Sequence, residues 1–315
     1  MLFRSYHFDQ EETVQYLANR FMELYPNIKV EPIYTNVANY MTTLNAELSA
    51  QHQVDVIMYS DADTALANRY LADISEYWNK DPETKKLAST IESAGIGAFA
   101  TGHQLAVPVK FFPTAMYIDL NCLEALNIEA PSMNWTWSEM IDLIKKCSVQ
   151  DSADGMAYYG LGFYNRLDSY YGIAASQDII GEFGFDGLDF DLSIWAVGEQ
   201  EFSDLRLGNY IAPSTETEEM EDWYGDWEGW AGSSGHCAIF SEAYWTYMNT
   251  WGTEYYKENF PDLNVVPYVV PAVSAEDATA DHHAIATIDF GGVSTSCQHP
   301  AEAYELLKFM SFGID

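Results

Sequence analysis

Residues Gly102 to Cys147 read GHQLAVPVKFFPTAMYIDLNCLEALNIEAPSMNWTWSEMIDLIKKC, and they predict two strands followed by two helices with short connections. Leu105 to Phe112 has the apolar composition of a buried strand, and Ala115 to Leu120 predicts a second, short strand bounded by polar turns. Thr136 is a predicted helix N-cap, because Glu139 stands three residues later and completes a capping-box pattern. The segment is therefore predicted to belong to a mixed α/β fold.

The N-terminal part of the chain alternates strand and helix patterns. The predicted order is a strand at 2–7, a helix at 14–24, a strand at 28–34, a helix at 41–48 and a strand at 54–59. The last of these strands is a continuous, largely apolar run, which suits a parallel strand buried on both faces. Strands and helices in this alternating order are typical of a doubly wound α/β domain.

The composition limits the classes of partner. A chain of 315 residues that is 48% hydrophobic is long enough for two globular domains. Its 48 acidic residues against 14 lysines and arginines give a net charge of -34, which repels phosphate backbones and argues against nucleic acid. Neutral or cationic ligands fit this charge better. Adaptation for solubility or a saline environment explains the acidity equally well.

Aromatic residues make up 15% of the chain, including 22 tyrosines and 9 tryptophans. Most are expected to pack in cores or lie on the surface, but flat rings with one polar edge also suit sugar recognition. The four cysteines lack CxxC spacing and are predicted to be buried free thiols rather than a disulfide or metal site; they are Cys122, Cys147, Cys237 and Cys297.

Two patterns that could suggest a metal are predicted to be ordinary surface structure. The aspartates at 186–191 lack the glycine and glutamate that an EF-hand calcium loop requires, so a solvated hairpin is expected. His282 and His283 are adjacent, and neighbouring residues on a strand point to opposite faces, so a loop is expected there. No catalytic residue, metal site or cofactor is predicted. No run of 18 apolar residues and no signal-peptide pattern occurs in the sequence.

Six short motifs, in the same order, resemble those of the extracellular solute-binding proteins of ABC importers, family 1, the group similar to maltose-binding protein. They are FMELYPNIKVE at 21–31, VDVI at 54–57, YLADI at 70–74, the stretch at 102–147, GHCAIF at 235–240 and HPAEAYELLKF at 299–309. The sequence departs from the family pattern at Ile118 and Asp119, where asparagine and lysine are usual. It departs again at His236, where lysine is usual, and at Ala243, where glycine is usual.

This resemblance implies a two-lobed, periplasmic-binding-protein-like α/β fold, in which each lobe is a mostly parallel sheet flanked by helices and the ligand cleft lies between the lobes. The first lobe is expected at 1–112 and 288–315 and the second at 113–287, with boundaries good to about eight residues. Family members continue beyond the last predicted helix, so C-terminal helices are expected to be missing from this chain. The signal peptide and lipid anchor of the family are likewise expected to precede it.

In open α/β sheets, ligands bind at the carboxyl ends of the strands, and this rule selects three loops before the family is considered. The resemblance implies the same loops and adds an aromatic platform after GHCAIF. The predicted ligand-binding residues are Tyr6, Asp9, Asn36, Tyr40, Asp61, Asp63, Lys110, Phe111, Trp230, Tyr244, Trp245 and Gly291. For some of them another role is open: Asp61 or Asp63 as a helix cap, Lys110 as a surface lysine, and Phe111 as a core residue.

The resemblance implies binding without chemistry. A monomer would close its lobes over a small solute, most readily a sugar or oligosaccharide, and present it to the permease subunits of an ABC transporter. It would work outside the cell, tethered to the outer face of the membrane or in the periplasm, as a lipoprotein of carbohydrate transport. The alternatives are a glycoside hydrolase, a surface carbohydrate-capture protein without an importer, and a polyamine or peptide as the ligand.

Overall fold

The protein is seen here in a computed structural model, which describes residues 2–7, 11–35, 37–50, 52–59, 68–87, 102–153, 155, 157–162, 192–212, 236–244, 247, 252–259, 261–262, 264–274, 282 and 286–312. The chain divides into two compact units. The first consists of Met1–Phe111 with Ile288–Asp315, and the second of Phe112–Thr287.

In chain order the strands and helices are β1 (Leu2–His7), α1 (Glu11–Leu24), β2 (Lys29–Tyr34), α2 (Val37–Ser49), β3 (Val56–Tyr59), α3 (Ser75–Lys80), β4 (Val107–Asp119), α4 (Leu120–Ala125), α5 (Trp137–Cys147), β5 (Tyr159–Leu161), α6 (Leu192–Leu207), β6 (Cys237–Ala243), α7 (Glu254–Asn259), β7 (Val265–Tyr268), β8 (Ala286–Val293) and α8 (Pro300–Phe309). A short 3-10 helix covers Thr84–Lys86. The chain leaves the first unit within β4 and returns to it within β8.

The sheet of the first unit has the strand order β2-β1-β3-β8-β4. β1 runs parallel to β2 and to β3, and β8 runs antiparallel to β3. The strand and helix alternation that the sequence predicts for the N-terminal part is confirmed. In α1 the apolar residues Val14, Ala18 and Phe21 recur at helical spacing, and all three are buried, so they form the face by which the helix packs.

Helix α8 closes the core of the first unit. Pro300 occupies its first turn, where the missing N–H costs nothing, as the sequence predicts. Its buried residues include Ala303 and Leu307, which belong to the same apolar cluster as Phe3, Phe21 and Val56 of the sheet and α1. The helix therefore joins the last part of the chain to elements formed by the first part.

β4 corrects one prediction made from the sequence. Two strands were expected between Leu105 and Leu120, whereas the structure has a single strand of 13 residues. The strand continues past Pro113 because β6 pairs with it from there on, with Thr114 opposite Ala243 and Ile118 opposite Ile239. Pairing with a distant segment thus overrides the local turn signal.

The second unit is built around the end of β4, in the strand order β7-β4-β6-β5. β4 is antiparallel to β6 and to β7, and β5 is parallel to β6. A mostly parallel sheet was expected in this lobe, whereas its described strand pairs are mainly antiparallel, because β6 and β7 both pair with the end of β4. Helix α5 begins at the predicted cap: the Thr136 hydroxyl accepts from Glu139 N, and the Glu139 carboxylate accepts from Thr136 N at 2.7 Å. Its apolar face joins Trp135, Phe202 and Ile239 in one cluster.

None of the four cysteines is in a disulfide; three of them are buried and Cys297 is half-buried. The predicted hairpin at 186–191 and His283 lie outside the described residues. None of the described helices is both long and apolar enough to cross a membrane.

Candidate ligand-binding site

Strand β6 brings Tyr244 to the surface of the second unit. Its residues pair with β4 on one side and with β5 on the other, and every described side chain from Cys237 to Ser241 is buried. Tyr244 follows directly after the strand, and 46% of its surface is exposed. The family resemblance implies an aromatic platform at this position; Tyr244 is a large exposed ring, and its contact with a ligand stays a prediction.

Two further tyrosines stack behind Tyr244. The ring of Tyr247 lies 6.2 Å from that of Tyr244, with 20° between the planes. It also lies 6.2 Å from the ring of Tyr117, with 2° between the planes. These are the spacings of offset-stacked aromatic pairs. We call Tyr117, Tyr247 and Tyr244 the tyrosine stack; it runs from a fully buried ring on β4 to an exposed ring after β6.

The chain turn at Gly252 holds the middle ring of the stack. Gly252 N donates to Tyr247 O at 2.7 Å. A Cβ atom at this position would lie 2.8 Å from Tyr247 O and 3.0 Å from its Cε1, so a larger residue would displace either the backbone or the ring. The inner ring, Tyr117, packs with Phe240 and Tyr256 in a small apolar cluster of its own. The stack is therefore anchored at its base and at its middle ring.

In the first unit, Lys110 on β4 and Asp289 on β8 lie on neighbouring strands and influence each other's ionisation. Both side chains are half-buried. Burial lowers the pKa of Lys110, and Asp289 partly offsets this effect. Burial likewise raises the pKa of Asp289, and Lys110 opposes the rise. Lys110 therefore has a specific partner of opposite charge, Asp289, on the neighbouring strand.

Phe111 and Tyr40 have opposite environments. Phe111 is 51% exposed, so the core-packing alternative considered for it does not describe its position. Tyr40 is buried in an apolar cluster with Leu44, Ile57 and Phe290. This burial favours a packing role for Tyr40, and its predicted contact with a ligand stays a prediction.

Gly291 lies inside the first unit, where a Cβ atom would come within 2.5 Å of Leu307 Cδ1 and 2.7 Å of Met58 Sδ. The missing side chain is what lets β8 and α8 approach so closely. Its predicted ligand contact also stays a prediction. Of the remaining candidates, only the backbone of Tyr6 is described, as part of β1, and its ligand contact stays a prediction. The others lie outside the described residues: Asp9, Asn36, Asp61, Asp63, Trp230 and Trp245.

A buried acid, Asp119, is the last residue of β4, two residues after Tyr117. Asp119 is fully buried and caps α4, with Oδ1 accepting from Asn121 N at 2.9 Å and from Cys122 N at 3.3 Å. Its Oδ2 has no hydrogen-bond partner among the described residues. Burial raises the pKa of this carboxyl to about 6, although the two backbone donors and His236 act against the rise. Sequence reasoning missed Asp119 as a buried group, although it marks a departure from the family pattern.

Sequence reasoning also missed Tyr247 and Tyr117 as partners of Tyr244. The signal for Tyr247 was its position three residues after Tyr244, a spacing that brings side chains together in one helical turn. No comparable signal existed for Tyr117, because it is far away in the sequence. Among the described residues, no group of histidines, cysteines and acids could hold a metal ion. His282 Nδ1 lies 2.6 Å from Val270 O, in a loop as predicted.

Several solved structures, among them the three that follow, have the same fold as this chain. One is an ABC substrate-binding protein from Listeria monocytogenes in complex with cycloalternan, with a TM-score of 0.70, 16% identity, and 99% of this chain and 75% of that chain covered. Another is a sugar transporter from Rhizobium etli in an open conformation, with a TM-score of 0.70, 16% identity, and 98% and 76% covered. The sugar-binding protein MalE from Xanthomonas citri gives a TM-score of 0.69, 14% identity, and 98% and 75% covered.

These matches confirm the predicted two-lobed α/β fold class. No curated protein matches the sequence at a significant level. The profile of one protein family, the bacterial extracellular solute-binding proteins, matches residues 8–311. Because this match covers nearly the whole chain and agrees with the fold, the protein belongs to the bacterial extracellular solute-binding protein family.

Proposed function

We propose that this protein is the substrate-binding component of an ABC importer and that its ligand is a neutral sugar or oligosaccharide. The family supports a role in solute binding. Structures of the same fold are described as binding cycloalternan and, in a further case with a TM-score of 0.59 and 17% identity, raffinose. Both of those ligands are neutral carbohydrates, which an acidic protein does not repel.

The observation that carries the proposal is the exposed ring of Tyr244 at the end of β6. A sugar presents a face of C–H groups that stacks on a flat ring, and its hydroxyls hydrogen-bond to polar groups around that ring. Tyr244 offers such a face together with one phenolic hydroxyl. Among the described candidates of the first unit, Lys110 and Phe111 suit the proposal best, because Lys110 is half-buried and charged and Phe111 is an exposed ring.

The transport step is also part of the proposal. As in the family that the sequence resembles, the two lobes would close over the solute, and the closed form would be delivered to permease subunits in the membrane. Closure of this kind is a hinge motion carried by a few residues of the crossing segments. In this chain those segments are β4 and β8, which pass from one unit to the other.

Isothermal titration of the purified chain tests the choice of ligand. The panel is maltotriose and raffinose as neutral sugars, spermidine as a polyamine and trialanine as a peptide. We expect binding of at least one sugar. We also expect Tyr244→Ala to weaken it about tenfold, because loss of an aromatic stacking partner costs roughly 1 kcal/mol or more. Recovery of the sugar unchanged after long incubation separates binding from hydrolysis.

Tyr255→Ala is the matched control for that titration. Tyr255 is a tyrosine of the same unit and is 54% exposed, so its loss removes a similar surface ring from a different place. Affinity for the sugar is expected to be unchanged in this variant. Binding of spermidine or trialanine alone would overturn the sugar assignment, and equal losses in the two variants would remove Tyr244 from the site.

A further inference from the structure

The exposed ring of Tyr244 is not held by its own backbone alone. A tyrosine on the surface normally exchanges between rotamers, and ordering such a side chain at a binding interface costs free energy. Here the ring stacks against Tyr247, which is itself only partly exposed. Tyr247 in turn stacks against Tyr117, which is fully buried on β4. The orientation of the outer ring is thereby linked to the core of the second unit.

The middle ring is the fixed point of this arrangement. Both stacking contacts involve Tyr247, and the Gly252 amide binds its carbonyl oxygen at 2.7 Å. Gly252 also leaves no room beside the ring, since an added Cβ atom would come within 3.0 Å of Tyr247 Cε1. The ring is therefore confined by Tyr117 and Tyr244 through stacking and by the Gly252 turn at its edge.

From this geometry we propose that Tyr247 is a positioning residue for the ligand. It holds the ring of Tyr244 in one plane, so that this ring is already oriented before the sugar binds. The inference rests on the proposed function, in which Tyr244 is the stacking platform. Tyr247 contributes to affinity only through Tyr244, because a platform ordered before binding spares the ligand the cost of ordering it.

A comparison within the same unit supports a specific role for the stack. Tyr255 is another exposed tyrosine beside a buried one, Tyr256. These two rings meet edge-on, with centroids 5.7 Å apart and 74° between the planes. In this edge-on pair the buried ring is far from parallel to the outer ring, whereas in the tyrosine stack the planes of neighbouring rings differ by only 2° and 20°. The two pairs therefore serve as a matched test and control.

The test uses Tyr247→Leu, which removes the flat ring, and Tyr247→Phe, which keeps it. With the sugar of the maltotriose and raffinose pair that the wild type binds, titration is expected to show about a three- to tenfold loss of affinity for Tyr247→Leu. Tyr247→Phe is expected to stay within about twofold of the wild type, since the stacking ring is retained. Tyr255→Leu is the control and is expected to leave the affinity unchanged.

A double-mutant cycle separates positioning from general damage to the fold. If Tyr247 acts through Tyr244, then Tyr247→Leu costs no further affinity in a chain that already carries Tyr244→Ala. Losses that simply add would overturn the proposal. If Tyr247→Leu fails to fold, Gly252→Ala is the second variant, because it disturbs the middle ring without removing any ring. It is expected to weaken binding in the wild type and to have no effect in the Tyr244→Ala background.

A measurement without ligand keeps the inference distinct from the proposed function. In a chain with 13C-labelled tyrosine rings, the NMR resonances of Tyr244 are expected to shift in Tyr247→Leu and in Gly252→Ala, because the ring current of a stacked neighbour is lost or moved. They are expected to stay in place in Tyr255→Leu. Unmoved Tyr244 resonances in both stack variants would overturn the positioning role. If the Tyr244 resonances shift in the stack variants but the wild-type chain binds neither sugar, the positioning of the ring by Tyr247 stands and the proposed ligand is overturned.

Discussion

Lys308 Nζ lies 2.8 Å from Asp81 Oδ2, and this ion pair joins α8 to the residue that follows α3. The Asp81 side chain is only 5% exposed. Tyr304 OH donates to the same oxygen at 3.2 Å, and Glu83 N donates to Oδ1 at 2.9 Å. Burial alone would raise the pKa of Asp81, but Lys308 and the other two donors outweigh it and hold the pKa below its usual value. Within the first unit, α8 is thus tied to the segment that follows α3 by a satisfied buried charge.

Asp81→Asn is expected to destabilise the first unit by about 2 to 4 kcal/mol, because it removes one partner of a largely buried pair and leaves the lysine uncompensated. Urea unfolding followed by fluorescence measures the loss. Glu76→Gln is the control, since it breaks an ion pair with Lys80 of similar length, 2.6 Å, whose side chains are both exposed. Its unfolding free energy should stay at the wild-type value. Equal losses in the two variants would show that burial of the Asp81 pair has no particular weight.

The features of this fold that the sequence predicts correctly depend on neighbours a few residues apart. The capping box of Thr136 and Glu139 is one such feature, and the buried stripe of α1 is another. Each follows from side chains that meet within one or two helical turns, so the order of residues specifies them. The alternation of strands and helices in the first unit is predictable for the same reason.

The features that were missed depend on residues that are distant in the sequence. β4 continues past Pro113 because β6 and β7, far along the chain, supply partners for it. The stacking of Tyr117 with Tyr247 has the same origin, since β4, which carries Tyr117, must pair with β6, which ends shortly before Tyr247, before the rings can meet. Asp119 is a third case, because a carboxyl that caps a helix looks the same in the sequence whether the cap is buried or exposed. Local patterns cannot reveal contacts of this kind.

Asp119 predicts a pH dependence of stability. Its pKa is about 6 in the folded protein, whereas an aspartate in an unfolded chain titrates near about 3.9. The folded state therefore holds the proton more tightly, so this carboxyl contributes stability that is fully present below the unfolded pKa and is lost as the pH rises through about 6. About two pKa units correspond to roughly 3 kcal/mol.

Asp119→Asn removes this titration while keeping a side chain that caps helices well. Relative to the wild type, the variant is expected to gain roughly 2 kcal/mol of unfolding free energy between pH 4.5 and pH 7.5, because the unfolded carboxyl is already mostly ionised at pH 4.5. Urea unfolding at the two pH values measures the difference. Asp142→Asn, at an exposed position of α5, is the control and should keep a constant difference from the wild type. A constant difference for Asp119→Asn as well would show that the buried carboxyl is ionised throughout the range.

Thr136→Ala tests the cap of α5. The Thr136 hydroxyl accepts from Glu139 N at 3.3 Å, so its removal leaves a backbone donor of the first turn without its partner. We expect the second unit to lose about 1 kcal/mol of stability. Thr136→Ser keeps the hydroxyl and should restore most of that loss. Thermal unfolding of the three proteins measures the effect, and a serine variant as unstable as the alanine variant would assign the loss to the methyl group instead.

Gly291→Ala distinguishes the two roles considered for this glycine. The added methyl group would lie 2.5 Å from Leu307 Cδ1 and 2.7 Å from Met58 Sδ, and both are ends of flexible side chains that can move at a cost. Overpacking of this kind is expected to lower the stability of the first unit by about 1 to 2 kcal/mol. Because the packing role places Gly291 inside the unit, affinity for the bound sugar is expected to stay unchanged.

Combining Gly291→Ala with Leu307→Val provides the check on that mechanism. The shorter valine makes room for the new methyl group, so the two substitutions together should cost less stability than the sum of their separate effects. Chemical unfolding of the wild type, the two single variants and the double variant gives the coupling free energy. Additive losses would show that the methyl group and Leu307 do not compete for the same space. A weakened affinity at wild-type stability would instead return Gly291 to the ligand-binding residues.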